Sequence, residues 1–129
     1  MDKLKLFSLV VRDYDATVQF YTQKLGFEVA EDAAFGDNRW ITLKLPNTPD
    51  SNISLVLAKT NEDEAVVGKQ AGSFPLLGLG TVDCFGDYRR MKELGVKFHG
   101  EPTAGPWGTG VLLEDLYGNK IFMSQEPGG

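Results

Sequence analysis

The chain is poor in the residues that announce chemistry most directly. It holds one cysteine, Cys84, and one histidine, His99. A lone cysteine excludes an intramolecular disulfide, and a lone histidine excludes a two-histidine, one-carboxylate iron site built by one chain. Long hydrophobic runs are missing too: the N-terminal run LFSLVV is six residues and stops at Arg12 and Asp13, too short for a secretory core or a spanning helix. Positive charge is scarce, with 13 Lys and Arg against 18 Asp and Glu for a net charge of -5. No basic cluster could follow a phosphate backbone. These absences make nucleic acid and membrane unexpected partners, make the cytoplasm the expected compartment, and favour a cationic over an anionic ligand. At 129 residues with 42% hydrophobic and 24% charged, the chain is expected to fold as one domain, residues 1–129, without a covalent staple.

What the sequence does contain is a repeat. Residues 6–29 (LFSLVVRDYDATVQFYTQKLGFEV) are echoed by residues 77–98 (LGLGTVDCFGDYRRMKELGVKF). In the first copy a strand over 4–11 leads to Asp13 and Asp15 as helix N-caps. Tyr14, Val18, Tyr21 and Leu25 then fall at helical spacing, and Gly26 supplies the stop. The second copy repeats this with a strand over 76–82, a cap at Asp83, a stripe of Cys84, Tyr88, Met91 and Leu94, and Gly95.

Three strand-like segments follow each helix, predicted at 27–32, 39–45 and 52–58, then at about 96–100, 109–114 and 119–125. Asp37-Asn38 and Pro46-Asn47 punctuate the first set, and Pro106-Trp107-Gly108 and Tyr117-Gly118-Asn119 the second. The predicted fold class is α+β, two tandem βαβββ modules over about 4–58 and 74–126. Residues 59–73, with Glu62, Asp63 and Glu64 in a row, read as a solvated linker. Such a linker is long enough to permit exchange of modules between two chains. A tandem repeat of this kind builds two similar modules around a shared cleft, where a ligand would sit.

The paired βαβββ modules, the phrases RDYDATVQFYTQKLGFEV and VDCFGDYRRMKELGVKF, the PWG turn at 106–108 and the LEDLYGNKI segment at 113–121 together resemble the vicinal oxygen chelate superfamily. That group includes glyoxalase I, bleomycin-resistance proteins and extradiol dioxygenases. The resemblance implies a curved mixed sheet around a cleft, helices on its outer face, and a homodimer. It also implies metal ligands on the first and fourth strands of each module, which places them at Leu6, Ser54, Leu77 and Phe122. None of these side chains is a usual metal ligand. The windows 4–8, 52–56, 75–79 and 120–124 contain no His, Asp, Glu or Cys, so a strand slip of two residues changes nothing. No metal, no cofactor and no catalytic residue is therefore expected.

With the alternation implied by the resemblance, the cavity faces carry Leu6, Ser8 and Val10, then Trp40, Thr42 and Lys44, then Ser54 and Val56. The second module adds Leu77, Leu79 and Thr81, then Phe122 and Ser124. The opposite phase, with Ile41, Leu43, Leu45, Ile53, Leu55, Leu57, Ile121 and Met123, is the expected core. The expected site is an apolar pocket with a few hydroxyls: Ser54, Trp40, Thr42, Leu77, Phe122, Ser124 and Trp107. The expected function is metal-independent binding of a small apolar or aromatic molecule.

Two other functions stay open: a metal-dependent lyase, isomerase or dioxygenase, and a non-catalytic subunit or regulatory module with a closed cavity. Individual residues keep plainer readings as well. Leu6, Leu77 and Phe122 also fit as filler of a collapsed core, and Trp40 and Trp107 as packing and loop anchors. His99 reads as a loop residue with no partner visible in sequence, and Cys84 as a buried structural thiol. Glu114-Asp115 read as caps of the following turn. Arg39 and Lys44 suit either an anionic group in the cavity or a solvated edge.

Overall fold

Two aspartates open the two long helices. In the computed structural model, which describes residues 1–48 and 50–128, Asp13 accepts a hydrogen bond from the Ala16 N–H at 2.8 Å and starts helix α1, Tyr14–Gln23. Asp83 accepts from the Gly86 N–H at 3.0 Å and starts a second long helix, Cys84–Glu93. Each carboxylate satisfies a backbone donor that no helical carbonyl can reach. Asp15 is not a cap; it lies in the first turn of α1, where a negative charge is favourable.

The chain divides into two units, Met1–Val67 and Gly68–Gly129. In the first, strand β1 (Leu6–Val11) precedes α1, and strands β2 (Glu28–Phe35), β3 (Asn38–Lys44) and β4 (Asn52–Leu57) follow it. They form a four-stranded sheet in the order β1-β4-β3-β2, with β1 and β4 parallel and the other pairs antiparallel. Leu9, Val11, Ile41, Leu43, Ile53 and Leu55 are buried on one face. Leu45 and Leu57, at strand ends, are only half-buried. Gly26, at φ +82°, turns the chain out of α1 so that the buried Phe27 meets Tyr21 edge to face at 5.3 Å.

The segment predicted as a linker contains a helix. Asn61–Val66 forms α2, where the Thr60 hydroxyl accepts from the Asp63 N–H and the Asp63 carboxylate accepts from the Thr60 N–H. This reciprocal box, with acidic residues gathered at the helix start, gives the charge run a structural role that composition alone did not reveal.

The second unit repeats the plan. Strand β5 (Leu77–Gly80) precedes helix α3 (Cys84–Glu93), then β6 (Thr103–Gly105), β7 (Gly108–Glu114) and β8 (Lys120–Gln125). The order is β5-β8-β7-β6, again with one parallel pair at the β5 edge. Both units are thus βαβββ, each with its own mixed sheet, as the repeat led one to expect. No described helix is long and apolar enough to cross a membrane.

Two expectations fail in this unit. Residues 96–100 are not a strand: only Phe98 bridges to Leu113, and Gly100 at φ +91° turns the chain away from the ladder. The edge strand lies later, at β6, and the Pro-Trp-Gly turn closes the β6–β7 hairpin. Leu94 also leaves its predicted stripe, being 45% exposed. The helix stops at Glu93, Gly95 reverses the chain at φ +88°, and Val96 takes the buried place with its N–H on the Met91 carbonyl at 3.0 Å.

Candidate functional site

Strand register decides which side chains share a face. In the first unit Ser8 pairs with Ser54, Val10 with Val56, and Thr42 with Ser54. Leu6, Ser8, Trp40, Thr42, Ser54 and Val56 therefore occupy one face, opposite the core, as their alternation predicted. Leu6, Trp40 and Val56 are partly exposed there, while Thr42 and Ser54 are buried.

A cavity of about 270 Å³ opens beside Trp40. Leu6, Trp40 and Thr42 line it, together with Asn52 of β4 and Glu31 of β2. Lys3, Lys5 and Asp50 complete it. Thr42 Oγ1 donates to Glu31 Oε1 over a long 3.5 Å. Asn52 Oδ1 is buried without a hydrogen-bond partner among the described residues. Sequence reasoning missed these polar members. Asn52 stands two residues before Ser54 on the same alternating face and was legible there. Glu31 was not, because a register shift between Val29 and Glu31 turns it to the face of Thr42.

Arg39 projects from the other face of β3. It is held by Asp32 at 2.9 Å and by Asp15 of α1 at 2.8 Å. Those two carboxylates, Asp32 above all, push its guanidinium well above the ordinary arginine range. Arg39 thus ties helix to sheet and is not an anion receptor of the cavity.

In the second unit the register corrects the sequence reading. Leu77 pairs with Ile121 and Leu79 with Met123, while Gly78 pairs with Phe122 and Gly80 with Ser124. Leu77, Leu79 and with them Thr81 therefore lie on the core side, not beside Phe122. The two helix caps, Asp13 and Asp83, set the correspondence of the repeats and bring Leu6 onto Leu76, one residue before Leu77. Glycines Gly78 and Gly80 conceal the error, since neither carries a side chain to mark its face.

The open face of this unit carries Phe122, Ser124, Leu112 and Gly110. Trp107, from the hairpin turn, lies against Phe122 with ring centroids 6.0 Å apart. A Cβ placed on Gly110 would come within 2.6 Å of Phe122 Cζ and 2.9 Å of Trp107 Cη2. The two rings therefore use the absence of a side chain at Gly110 to settle onto the sheet. Trp107 stays 53% exposed. Three of the expected residues, Trp107, Phe122 and Ser124, share this face, and three others, Trp40, Thr42 and Ser54, share the face of the first unit.

His99 has a partner after all. Its Nε2 lies 2.5 Å from Glu114 Oε2, which also meets Lys97 Nζ at 3.4 Å. Glu114 is thus no turn cap. Asp115 is, accepting from the N–H groups of Tyr117 and Asn119 at 2.9 and 3.0 Å. Cys84 is fully buried at the start of α3. Burial, with the nearby carboxylates of Asp87 and Asp83 adding to it, pushes its thiol above the ordinary cysteine range.

The places where the resemblance put metal ligands hold Leu6, Ser54 and Phe122, with Leu76 replacing Leu77. Two leucines, a serine and a phenylalanine do not fit a divalent ion. Among the described residues no three His, Cys, Asp or Glu side chains are grouped to hold one.

A sequence model described as Glyoxalase/Bleomycin resistance protein/Dioxygenase superfamily matches residues 3–123. An uncharacterised protein of Shewanella frigidimarina (strain NCIMB 400) is 40% identical over 116 residues, 87% of this chain and 84% of that one. The crystal structure of UcmS2 superposes with a TM-score of 0.83 at 26% identity, covering 96% of this chain and 98% of that one. TnmS3, an antibiotic binding protein from Streptomyces sp. CB03234, superposes with a TM-score of 0.80 at 28% identity, covering 98% and 97%.

Proposed function

The chain belongs to the Glyoxalase/Bleomycin resistance protein/Dioxygenase superfamily, and from that membership we propose that it binds a small aromatic or apolar molecule without a metal and without chemistry of its own. The observation that carries this reading is Trp107, 53% exposed, laid on Phe122 over the bare backbone of Gly110. Large uncovered aromatic surface on a sheet face is what a planar ligand can stack on. Trp40 beside its cavity offers a second such surface. The likeness to TnmS3, an antibiotic binding protein, supports the same class of function. A homodimer belongs to this reading and is tested by sedimentation.

A metal-dependent lyase, isomerase or dioxygenase needs ligands that the four strand positions do not offer. A closed, regulatory subunit is disfavoured by the cavity of about 270 Å³ beside Trp40. The test is calorimetric titration with 2-naphthol in EDTA. Binding should survive the chelator and weaken at least about tenfold in Trp107→Ala and Phe122→Ala, since truncating an aromatic anchor that the ligand covers removes about 1.4 kcal/mol or more. A melting temperature raised by divalent metals alone, with no response to aromatic probes, would overturn the reading.

A further inference from the structure

We propose that Asn52 reads a neutral hydrogen-bond donor on the ligand, narrowing the ligand class to aromatic molecules that carry a hydroxyl or an amide N–H. This rests on the aromatic-binding reading above and concerns the second surface named there, the cavity of the first unit beside Trp40. Buried carbonyl oxygens in folded proteins nearly always have a donor. Asn52 Oδ1 has none among the described residues, although Asn52 lines a cavity large enough for part of a ligand.

The surrounding groups do not relieve it. The Thr42 hydroxyl, buried in the same wall, donates toward Glu31 at 3.5 Å. The Asn52 side chain makes no other hydrogen bond among the described residues. Its last torsion is soft and two-fold, so the amide can be re-aimed into the cavity without breaking a bond. A donor arriving from a ligand supplies what the protein lacks.

Charge decides against an ionic ligand group. Lys3 and Lys5 are matched by Glu31 and Asp50 around the cavity, so its lining selects neither sign. What remains is a neutral acceptor demanding a proton donor, beside the indole of Trp40. A hydroxylated or amide-bearing ring satisfies both: its face lies on Trp40 and its edge meets Asn52.

The experiment compares 2-naphthol with 2-methoxynaphthalene, which has the same ring and no donor, by calorimetric titration of the full chain carrying Trp107→Ala, so that the cavity beside Trp40 is read apart from the face of the second unit. This chain should prefer 2-naphthol by about tenfold or more, the scale of one hydrogen bond to a buried group. The preference should fall to about twofold or less in Asn52→Leu and persist in Asn52→Asp, which keeps an acceptor. Because Oδ1 is unpartnered, Asn52→Leu should melt no lower than wild type.

Equal affinity for both probes in the Trp107→Ala chain, or binding of neither to it, overturns the inference and leaves aromatic binding standing. Failure of both probes to bind wild type overturns the aromatic-binding reading and this inference with it. A melting temperature several degrees lower in Asn52→Leu also overturns the inference, because it means that Asn52 is bonded in the free protein. Should Asn52→Leu not fold, Asn52→Ala gives the same comparison of probes.

Discussion

Phe122 pairs across the β5–β8 ladder with Gly78 and not with Leu77, so the residue beside its ring on β5 has no side chain. The consequence is a division of labour that separates two residues expected to act together. Leu77→Ala should cost about 1–2 kcal/mol of stability, below the range of about 2–5 kcal/mol for a fully buried leucine, since Leu77 is only half-buried. Phe122→Ala should instead be read mainly in ligand affinity. Urea midpoints and calorimetric titration of the two variants distinguish these roles, and a binding loss confined to Leu77→Ala would contradict the register.

Gly110→Ala tests the aromatic face from below. The new Cβ would stand 2.6 Å from Phe122 Cζ and 2.9 Å from Trp107 Cη2, closer than carbon atoms approach without displacement. Overpacking of this kind costs about 1–3 kcal/mol. In a Trp40→Phe background, the emission of Trp107 should shift on this substitution, reporting a moved indole. An unchanged spectrum and an unchanged melting temperature would show that the rings do not rest on Gly110.

Asp63 makes the α2 cap sensitive to acid. Hydrogen bonds from the Lys59 N–H first, and from the Thr60 backbone and side chain, hold its carboxyl below the ordinary aspartate range. A carboxyl depressed in the folded state contributes stability above its unfolded pKa of about 4, and that contribution fades as pH falls through its folded value. Asp63→Asn should therefore lose less stability than wild type between pH 6 and pH 3, measured by urea midpoints. Parallel acid profiles for the two proteins would remove Asp63 from the acid response.

Cys84 should behave as a silent thiol. With the residue fully buried and its thiol pushed upward by that burial and by Asp87 and Asp83, little thiolate forms at pH 8. Reaction with a disulfide reagent should be at least about tenfold slower in the native protein than in urea. Equal rates would place Cys84 at the surface.

The sequence could be read closely where one residue's local chemistry settles its structure. Asp13 and Asp83 announced the helix starts, Gly26 and Gly95 the stops, and the alternation from Trp40 to Lys44 and from Asn52 to Val56 assigned faces correctly. Leu77 was misplaced because Gly78 and Gly80 carry no side chains, so alternation had nothing to count on β5. The segment 96–100 read as a strand because Val96 and Phe98 alternate, yet Val96 is buried with its N–H on Met91, Phe98 makes only an isolated bridge to Leu113, and β6 forms the edge strand. Asn52 is legible on the alternating face of Ser54, whereas Glu31 is not, because the register shift between Val29 and Glu31 turns it toward Thr42.

By itself, then, the sequence determined the strand–helix–three-strand order of the first unit up to β4, the α+β class and the lack of metal-binding side chains at the strand positions that the resemblance implied. The first two follow from capping and periodicity, which act over a few residues. Tertiary structure alone decided that Phe122 faces glycine, that Trp107 settles on Gly110, that Glu31 turns toward Thr42 and that Asn52 keeps an unpartnered oxygen. Those outcomes depend on ladder register and on bulges, and both are set by how distant segments meet.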